Sequence, residues 1–302
     1  MKVSTLFLVV GYVVLWNSGF IGAEYGLPYA GPLTLLFWRY WALTLLLFLY
    51  LLLLGRLRWP GWSTVIPTGI IGILAHAVWL GCVLVSLDYG VPAGIVALVV
   101  ALQPLTTGAF SGLVVGERTP LLRWIGLLIG FLGVVITVSA RIDLAAARSV
   151  IGYTIPFGSV VAMTIAVLLQ RRLEVLDRAK RLPTDITLFY QSLATAAALT
   201  IPALAFEHLA TQWTPPFIHA MLWLIIAVSL GAYALMWLLV ARMDATRVAS
   251  LFYLGPPVTM LMAWVAFGDQ LQVADVIGVV VVALGVGLTQ LRSRAVQSGT
   301  IK

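Results

Sequence analysis

PAGIVALVVALQPLTTGAFSGLVVGERTPLLRWIGLLIGFLGVVI, residues 92–136, reads as two apolar helices joined by a short charged turn, Gly116-Glu117-Arg118. Shifted by 152 positions, much of the stretch recurs without a gap. Pro104 falls on Pro256, Thr107 on Thr259, Gly116 on Gly268, Glu117 on Asp269, Gly126 on Gly278 and Gly133 on Gly285. The same shift sets Leu35-Leu36-Phe37-Trp38 against Thr187-Leu188-Phe189-Tyr190. Self-similarity at a long fixed period means two copies of one structural unit.

Composition says where such a unit lives. Of 302 residues, 62% are hydrophobic and 10% charged, against about 25% charged in soluble domains; the mean hydropathy is +1.06. The chain cannot cover a globular surface with polar groups, so most of it faces lipid or other helices. One cysteine, Cys82, excludes an internal disulfide and reads as a small packing residue. The opening Lys2 and apolar run resemble a signal peptide but are taken as a retained first span, because the second copy needs an opening helix to match. Segments of roughly 20 apolar residues span a bilayer, and ten qualify: 3–23, 32–54, 64–87, 92–115, 119–139, 150–170, 184–206, 216–240, 247–267 and 271–291. With the N-terminus inside, the inner loops collect nearly all Lys and Arg; the exceptions are Arg141 and Arg148 outside and Arg39 within a span. The positive-inside rule then puts both termini in the cytoplasm. The net charge of +7 reads as topology, and no nucleic-acid partner is expected.

Five spans per copy is an odd number, so the second copy crosses the membrane in the opposite sense. The expected fold is an all-α membrane protein of ten transmembrane helices in two inverted five-helix repeats, residues 1–145 and 146–302. Inverted repeats of this kind belong to transporters. The copies match clearly in their second, fourth and fifth helices and weakly in the first.

An apolar helix with a central proline that ends in a glycine–acid pair occurs twice, Gln103-Pro104 through Gly116-Glu117 and Pro256-Pro257 through Gly268-Asp269. In these features the whole chain resembles the ten-helix EamA-type members of the drug/metabolite transporter superfamily, and within it bacterial amino-acid exporters of the YddG type. The resemblance implies a bacterial inner-membrane exporter working by alternating access, with a central cavity among helices one, three, four, six, eight and nine. Two departures stand out. The second acid is Asp269 where Glu is commoner. The usual Trp-Ala of helix six is Val161-Ala162, which loosens any restriction to aromatic substrates.

The residues themselves offer a candidate site. Pro104 and Pro256 lie mid-span, where proline removes a backbone hydrogen bond and frees the carbonyl four residues back; in lipid such groups need a partner or a wet cavity. Both read as hinges bordering a cavity, against simple kinking for packing. Gln103, Thr107 and Ser111 share one helix face. Ser250 and Tyr253 lie three apart, as do His76 and Trp79; Trp16, beside Asn17, belongs to a stripe with Tyr12 and Phe20, and Trp237 follows Tyr233. Buried polar groups often mark a pathway, although interhelical hydrogen bonds account for them equally, and isolated aromatics also serve as lipid-facing or interfacial residues. The expected substrate site is Trp16, Asn17, His76, Trp79, Gln103, Met163, Trp237, Ser250 and Tyr253. Polar members would hold an amino acid's ammonium and carboxylate, while the aromatics and Met163 contact its side chain.

Arg39 lies roughly 10 Å from one end of its helix by helix rise. It is read first as an ion pair with Glu24, Asp88, Asp269 or Asp275, because its echo in the second copy is neutral Gln191; a grip on a substrate carboxylate is the alternative. The glycines of the fifth and tenth helices (126, 130, 133, 278, 285, 287) read as packing faces. The Gly116-Glu117 turn has no assigned role. No G-x-x-x-x-G-K-[ST] or H-E-x-x-H occurs and the three histidines are scattered, so neither an ATP-driven pump nor a zinc site is encoded in those forms; no cofactor, metal or enzyme activity is expected. No carboxylate lies mid-membrane, which leaves proton coupling and facilitated exchange both open. The partners are a small-molecule substrate, amino acids foremost, and the lipid bilayer. A monomer is expected, a dimer being the alternative. A carrier of other metabolites, drugs or nucleotide sugars, an intramembrane lipid enzyme and a channel are the competing functions.

Overall fold

The computed structural model describes residues 3–89, 91, 93–139, 151–175, 182–267 and 272–291, and its regular elements are helical. The outer linker 140–150, the basic run 176–181, Gly268-Asp269-Gln270 and the C-terminal Arg292, Arg294 and Lys302 lie outside these residues. Ten helical elements are numbered in chain order: α1 (Val3–Gly26), α2 (Pro32–Leu53), α3 (Trp62–Asp88), α4 in two pieces (Ala93–Val100 and Gln103–Val114), α5 (Leu121–Ser139), α6 (Ile155–Val175), α7 (Thr184–Glu207), α8 (Pro215–Arg242), α9 in pieces (Ala245–Ser250, Leu251–Leu254 and Gly255–Phe267) and α10 (Val273–Gln290). Eight of them are long and apolar enough to cross a membrane. The continuous apolar stretch of α5 is shorter, Leu121–Thr137, and α6 closes on Gln170-Arg171-Arg172.

The helices start and stop for local reasons. Pro32 occupies the first turn of α2, where its missing N–H costs nothing. The amides of Leu33 and Thr34 donate to the Glu207 carboxylate at the end of α7, so one helix caps another. Gln272 and Asp275 form a capping box at the start of α10. Pro104 and Pro256 do not kink continuous helices. Each sits in the first turn of a separate helical piece, after a break at Ala101-Leu102 in α4 and after the 3₁₀ turn Leu251–Leu254 in α9. A proline that can neither donate nor sit against a preceding helical turn is accommodated by starting the helix anew. A feature with no sequence signal joins these breaks: α3 and α8 each contain a π-helical stretch, Ile73–Val78 and Leu224–Ala232. Such stretches widen a helix by one residue and recur at functional sites.

Two pairs form the tightest seams. α5 and α10 pack antiparallel, Gly126 against Gly285 and Gly133 against Gly278 and Val282. A side chain on Gly126 would come within 2.7 Å of the Gly285 carbonyl. Gly130 receives the ring of Tyr253. Gly287, by contrast, has nothing within 4 Å of where a side chain would begin, so it lies on the open side of α10 and not in the packing face. α2 and α7 also run antiparallel, tied by Trp41 Nε1–H donating to Thr200 Oγ1 and by Arg56 to Asp185 at 2.8 Å. α1 packs on α8 and α9, and α6 packs on α3 and α4. Cys82 rests against Gly158 of α6, as a packing residue.

We call distal the end where α1 stops and α2 starts, and proximal the end where α2 stops and α3 starts.

Candidate functional site

The breaks and the α1 aromatic stripe meet at one cavity. Its volume is about 270 Å³, close to the lower edge of the roughly 300–1,000 Å³ of small-molecule sites. α1 contributes Trp16, Asn17 and Phe20; α3 gives Trp79, Val83 and Leu87; α4 gives Val96, Ala97, Val100 and Ala101; α5 gives Thr137; α9 gives Phe252, Gly255, Pro256, Thr259 and Met260. Every lining segment lies between mid-helix and the distal end of its helix. The 3.6-residue period puts Tyr12, Trp16 and Phe20 on one face. That face meets rings from other helices: Trp16 lies 5.2 Å from Trp79, 5.3 Å from Phe252 and 4.8 Å from Tyr233, centroid to centroid. Edge-on and tilted pairs at this spacing fix ring orientation. The cavity is mostly apolar, with Asn17, Thr137 and Thr259 as polar exceptions. Asn17 donates from Nδ2 to the Val13 carbonyl at 2.7 Å, and its Oδ1 accepts from Thr259 Oγ1 at 3.2 Å. That bond joins α1 to α9 across the break.

Of the nine expected substrate residues, Trp16, Asn17 and Trp79 line this cavity, together with the hinge Pro256. The others lie elsewhere. His76 sits on the π stretch of α3, 4.0 Å from the Tyr233 ring, its Nε2 3.4 Å from Gln191 Oε1. Trp237 donates to that same Gln191 oxygen at 2.8 Å and lines a separate proximal vestibule with Gln170, Glu174 and Thr187. Gln103 donates to Thr107, and the stripe these two share with Ser111 is fully buried against neighbouring helices. Ser250 bonds to Thr289 and Gln290 of α10. Tyr253 lies on Gly130. Met163 is wholly buried where α6 packs, and Pro104 starts the second piece of α4 away from the lining. Neither α6 nor α8 lines the cavity, because their inner faces are used in packing on α3 and α1. Val161 is 58% exposed. The residue 161 side chain therefore points outward and takes no part in the cavity wall.

Among the described residues Arg39 has no ion-pair partner. It is 3% exposed, its Nε donates to Ser229 Oγ at 2.6 Å, and its guanidinium carbon stands 5.6 Å from the centre of the Tyr40 ring. Glu24 and Asp88 are exposed at the distal ends of α1 and α3, Asp275 caps α10, and Asp269 lies outside the described residues.

At the proximal end, beside the vestibule of about 320 Å³ that Trp237 lines, polar side chains tie the α4–α5 turn to the α8–α9 turn. Gly116 ends α4 with φ +79°, a left-handed cap that glycine adopts without steric cost. The chain then turns Glu117 back across the bundle. Glu117 Oε1 accepts from Arg171 Nε at 2.7 Å, and Oε2 accepts from the Ala245 amide at the start of α9 at 3.0 Å. Arg171 Nη1 also donates to the Val240 carbonyl, and Arg123 pairs with Asp244 at 2.7 Å. Beneath this layer Thr246 meets Ser111 and Thr119. Charged side chains of α5, α6 and the α4–α5 turn thus grip the α8–α9 turn.

Comparison with known proteins agrees with this architecture. The EamA-like transporter family matches residues 3–139 and again residues 149–291. The chain is 25% identical over 302 residues to "Uncharacterized transporter YvbV" of Bacillus subtilis, covering 99% of this chain and 96% of that one. It is 36% identical over 122 residues to "Uncharacterized inner membrane transporter YedA" of Escherichia coli, 40% of this chain and 39% of that one. A solved structure described only as "Crystal structure of protein" superposes with a TM-score of 0.77 at 21% identity, covering 96% of this chain and 98% of that one; it speaks for the fold alone.

Proposed function

This chain belongs to the EamA-like transporter family and is a multi-pass membrane transporter, and we propose that it exports amino acids with apolar or aromatic side chains across a bacterial inner membrane by alternating access. It acts as a carrier and not as an enzyme. The observation that carries this reading is the aromatic cavity at the helix breaks, lined from α1, α3, α4, α5 and α9, with ion pairs tying the α4–α5 and α8–α9 turns at the proximal end. In this reading distal is periplasmic and proximal cytoplasmic, both termini are cytoplasmic, and the chain is a ten-span inverted repeat of residues 1–145 and 146–302.

Several features support the repeat. α5 and α10, one from each copy, cross antiparallel, and their contacts map onto themselves under the 152-residue shift: Gly126 meets Gly285, and Gly133 meets Gly278. The breaks of α4 and α9 and the π stretches of α3 and α8 fall at matching places. An inverted repeat supplies two arrangements of similar energy, one open to each side. The name of the Escherichia coli relative supports the inner membrane. The test is counterflow of a panel of labelled amino acids into proteoliposomes of the purified protein, with and without a pH gradient. Saturable exchange of apolar or aromatic amino acids is expected. Failure to move any amino acid, while another metabolite or a drug is moved, overturns the substrate assignment.

A further inference from the structure

Among the described residues the buried guanidinium of Arg39 has no counter-ion. A lone charge in a low-dielectric interior is costly and is retained where something offsets it. Ser229 Oγ, presented by the π stretch of α8, accepts a hydrogen bond from Arg39 Nε–H. Nη2 is buried and has no hydrogen-bond partner. The Tyr40 ring offers only a cation–π contact, with the guanidinium carbon 5.6 Å from its centroid. Glu207 is held by the amides at the start of α2, about 8 Å along the helix axis from Arg39 at 1.5 Å per residue.

Arg39 does not face a sealed core. It lines a small cavity of about 30 Å³, against the roughly 10–15 Å³ that one water requires, so the space fits a group of carboxylate size and not a whole substrate. Four residues of its wall, Trp16, Phe20, Trp79 and Val83, are also walls of the main cavity. The Arg39 pocket is therefore a side chamber sharing an aromatic partition with the larger space. Trp79 Nε1–H is a second buried donor with no partner. Two unused donors, one charged, and an apolar surround describe a site for an anion.

We propose that Arg39 binds the carboxylate of the transported molecule, whose apolar remainder lies in the main cavity against the wall formed by Trp16, Trp79 and Phe252. This rests on the transport reading above and narrows it: the cargo carries a carboxylate, and Arg39 is the residue that selects for it. The arginine supplies parallel N–H donors that a lysine cannot reproduce.

The experiment uses the full chain, purified in detergent and in proteoliposomes. Thermal shift and competition against labelled L-phenylalanine are measured for L-phenylalanine, 3-phenylpropionate, L-phenylalaninamide and phenethylamine, and for chloride and acetate alone. The wild type is expected to bind the two carboxylates and to reject the amide and the amine. Arg39→Gln is expected to weaken carboxylate binding roughly 30-fold or more and to abolish the preference for acid over amide. Arg39→Lys should fall between. With no ligand, Arg39→Gln should melt at or above the wild-type temperature, because removing an unpaired buried charge relieves a cost; a lower melting temperature would assign Arg39 to structure instead. Unchanged acid-over-amide preference in a folded Arg39→Gln protein overturns the proposal while leaving amino-acid transport standing. Uptake of 3-phenylpropionate but of no amino acid does the reverse. A wild-type protein stabilised by chloride or acetate as much as by L-phenylalanine holds only a resident small anion, and one that binds none of these carboxylates has no such site; either result overturns the proposal.

Discussion

At the level of single residues, the site depends on side chains whose orientation the linear sequence leaves open. Trp16 is the hub, with Tyr12, Trp79, Tyr233 and Phe252 all in ring contact. Trp16→Ala should raise KM for aromatic cargo by about tenfold, since each such ring pair contributes ~0.5–1.5 kcal/mol and 1.4 kcal/mol is tenfold. Val161→Trp should leave KM unchanged because residue 161 faces outward; initial uptake rates across a concentration series check both. The aromatic stripe of α1 was legible because period and composition agree. Gln103 and Ser250 were not placed correctly. A polar residue in an apolar helix signals that it needs a partner, and the sequence does not say whether that partner is a ligand or Thr107, Thr289 and Gln290. Arg39 carried the opposite ambiguity: the expected acid is absent among the described residues, and the unmade hydrogen bond appears only in three dimensions.

Among the elements, the α5–α10 seam shows what glycine spacing encodes. Backbones approach until a Cβ on Gly126 would sit 2.7 Å from a carbonyl oxygen of the partner helix. Small-residue faces of this kind let transmembrane helices gain close van der Waals contact where no hydrophobic effect separates protein from lipid. Gly126→Val should destabilise the fold by about 1–3 kcal/mol through overpacking, seen as a lower melting temperature and less monodisperse protein by size-exclusion chromatography. Gly287→Ala is the matched control: with open space around it, yield and melting temperature should hold. The prolines were readable as points where a helix is disturbed, because proline acts through backbone geometry, but the sequence suggested kinks where the structure has breaks. The π stretches of α3 and α8 were invisible, since ILAHAV and LIIAVSLGA carry no residue that demands an extra one per turn. They arise from how α3 and α8 must pack, and they are what bring His76 and Ser229 to the middle of the molecule.

For the molecule as a whole, the Gly116-Glu117 turn acquires a mechanism. Its glycine provides the left-handed cap, and its acid holds Arg171 of the second half and the first amide of α9. Arg123 and Asp244 repeat the grip from the other direction. These are bonds between residues before and after the linker, at the end opposite the cavity, and in the proposed cycle they would favour a distally open arrangement over one open proximally. A latch of this kind must be weak enough to break in each cycle, and charge-assisted hydrogen bonds at a partly wet surface meet that need. Sequence reading found the turn and could not assign it, because its partners lie 54 and 128 positions away. If the latch sets the resting state, loosening it should admit water-soluble reagents from the cytoplasmic side. Thr107 lies buried between the α4 break and the latch and serves as the reporter, as Thr107→Cys in a Cys82→Ala background. In inside-out vesicles, adding Glu117→Gln should raise its rate of modification by a membrane-impermeant maleimide several-fold, as should Arg171→Gln. The two together should do no more than either alone, since both remove the same contact. Protection by cargo added to the vesicle lumen, which is the distal side, would tie the exposed state to transport. Equal modification rates with and without Glu117→Gln would show that the proximal end is held shut by the Thr119–Thr246 layer beneath, with the ion pairs serving only the fold.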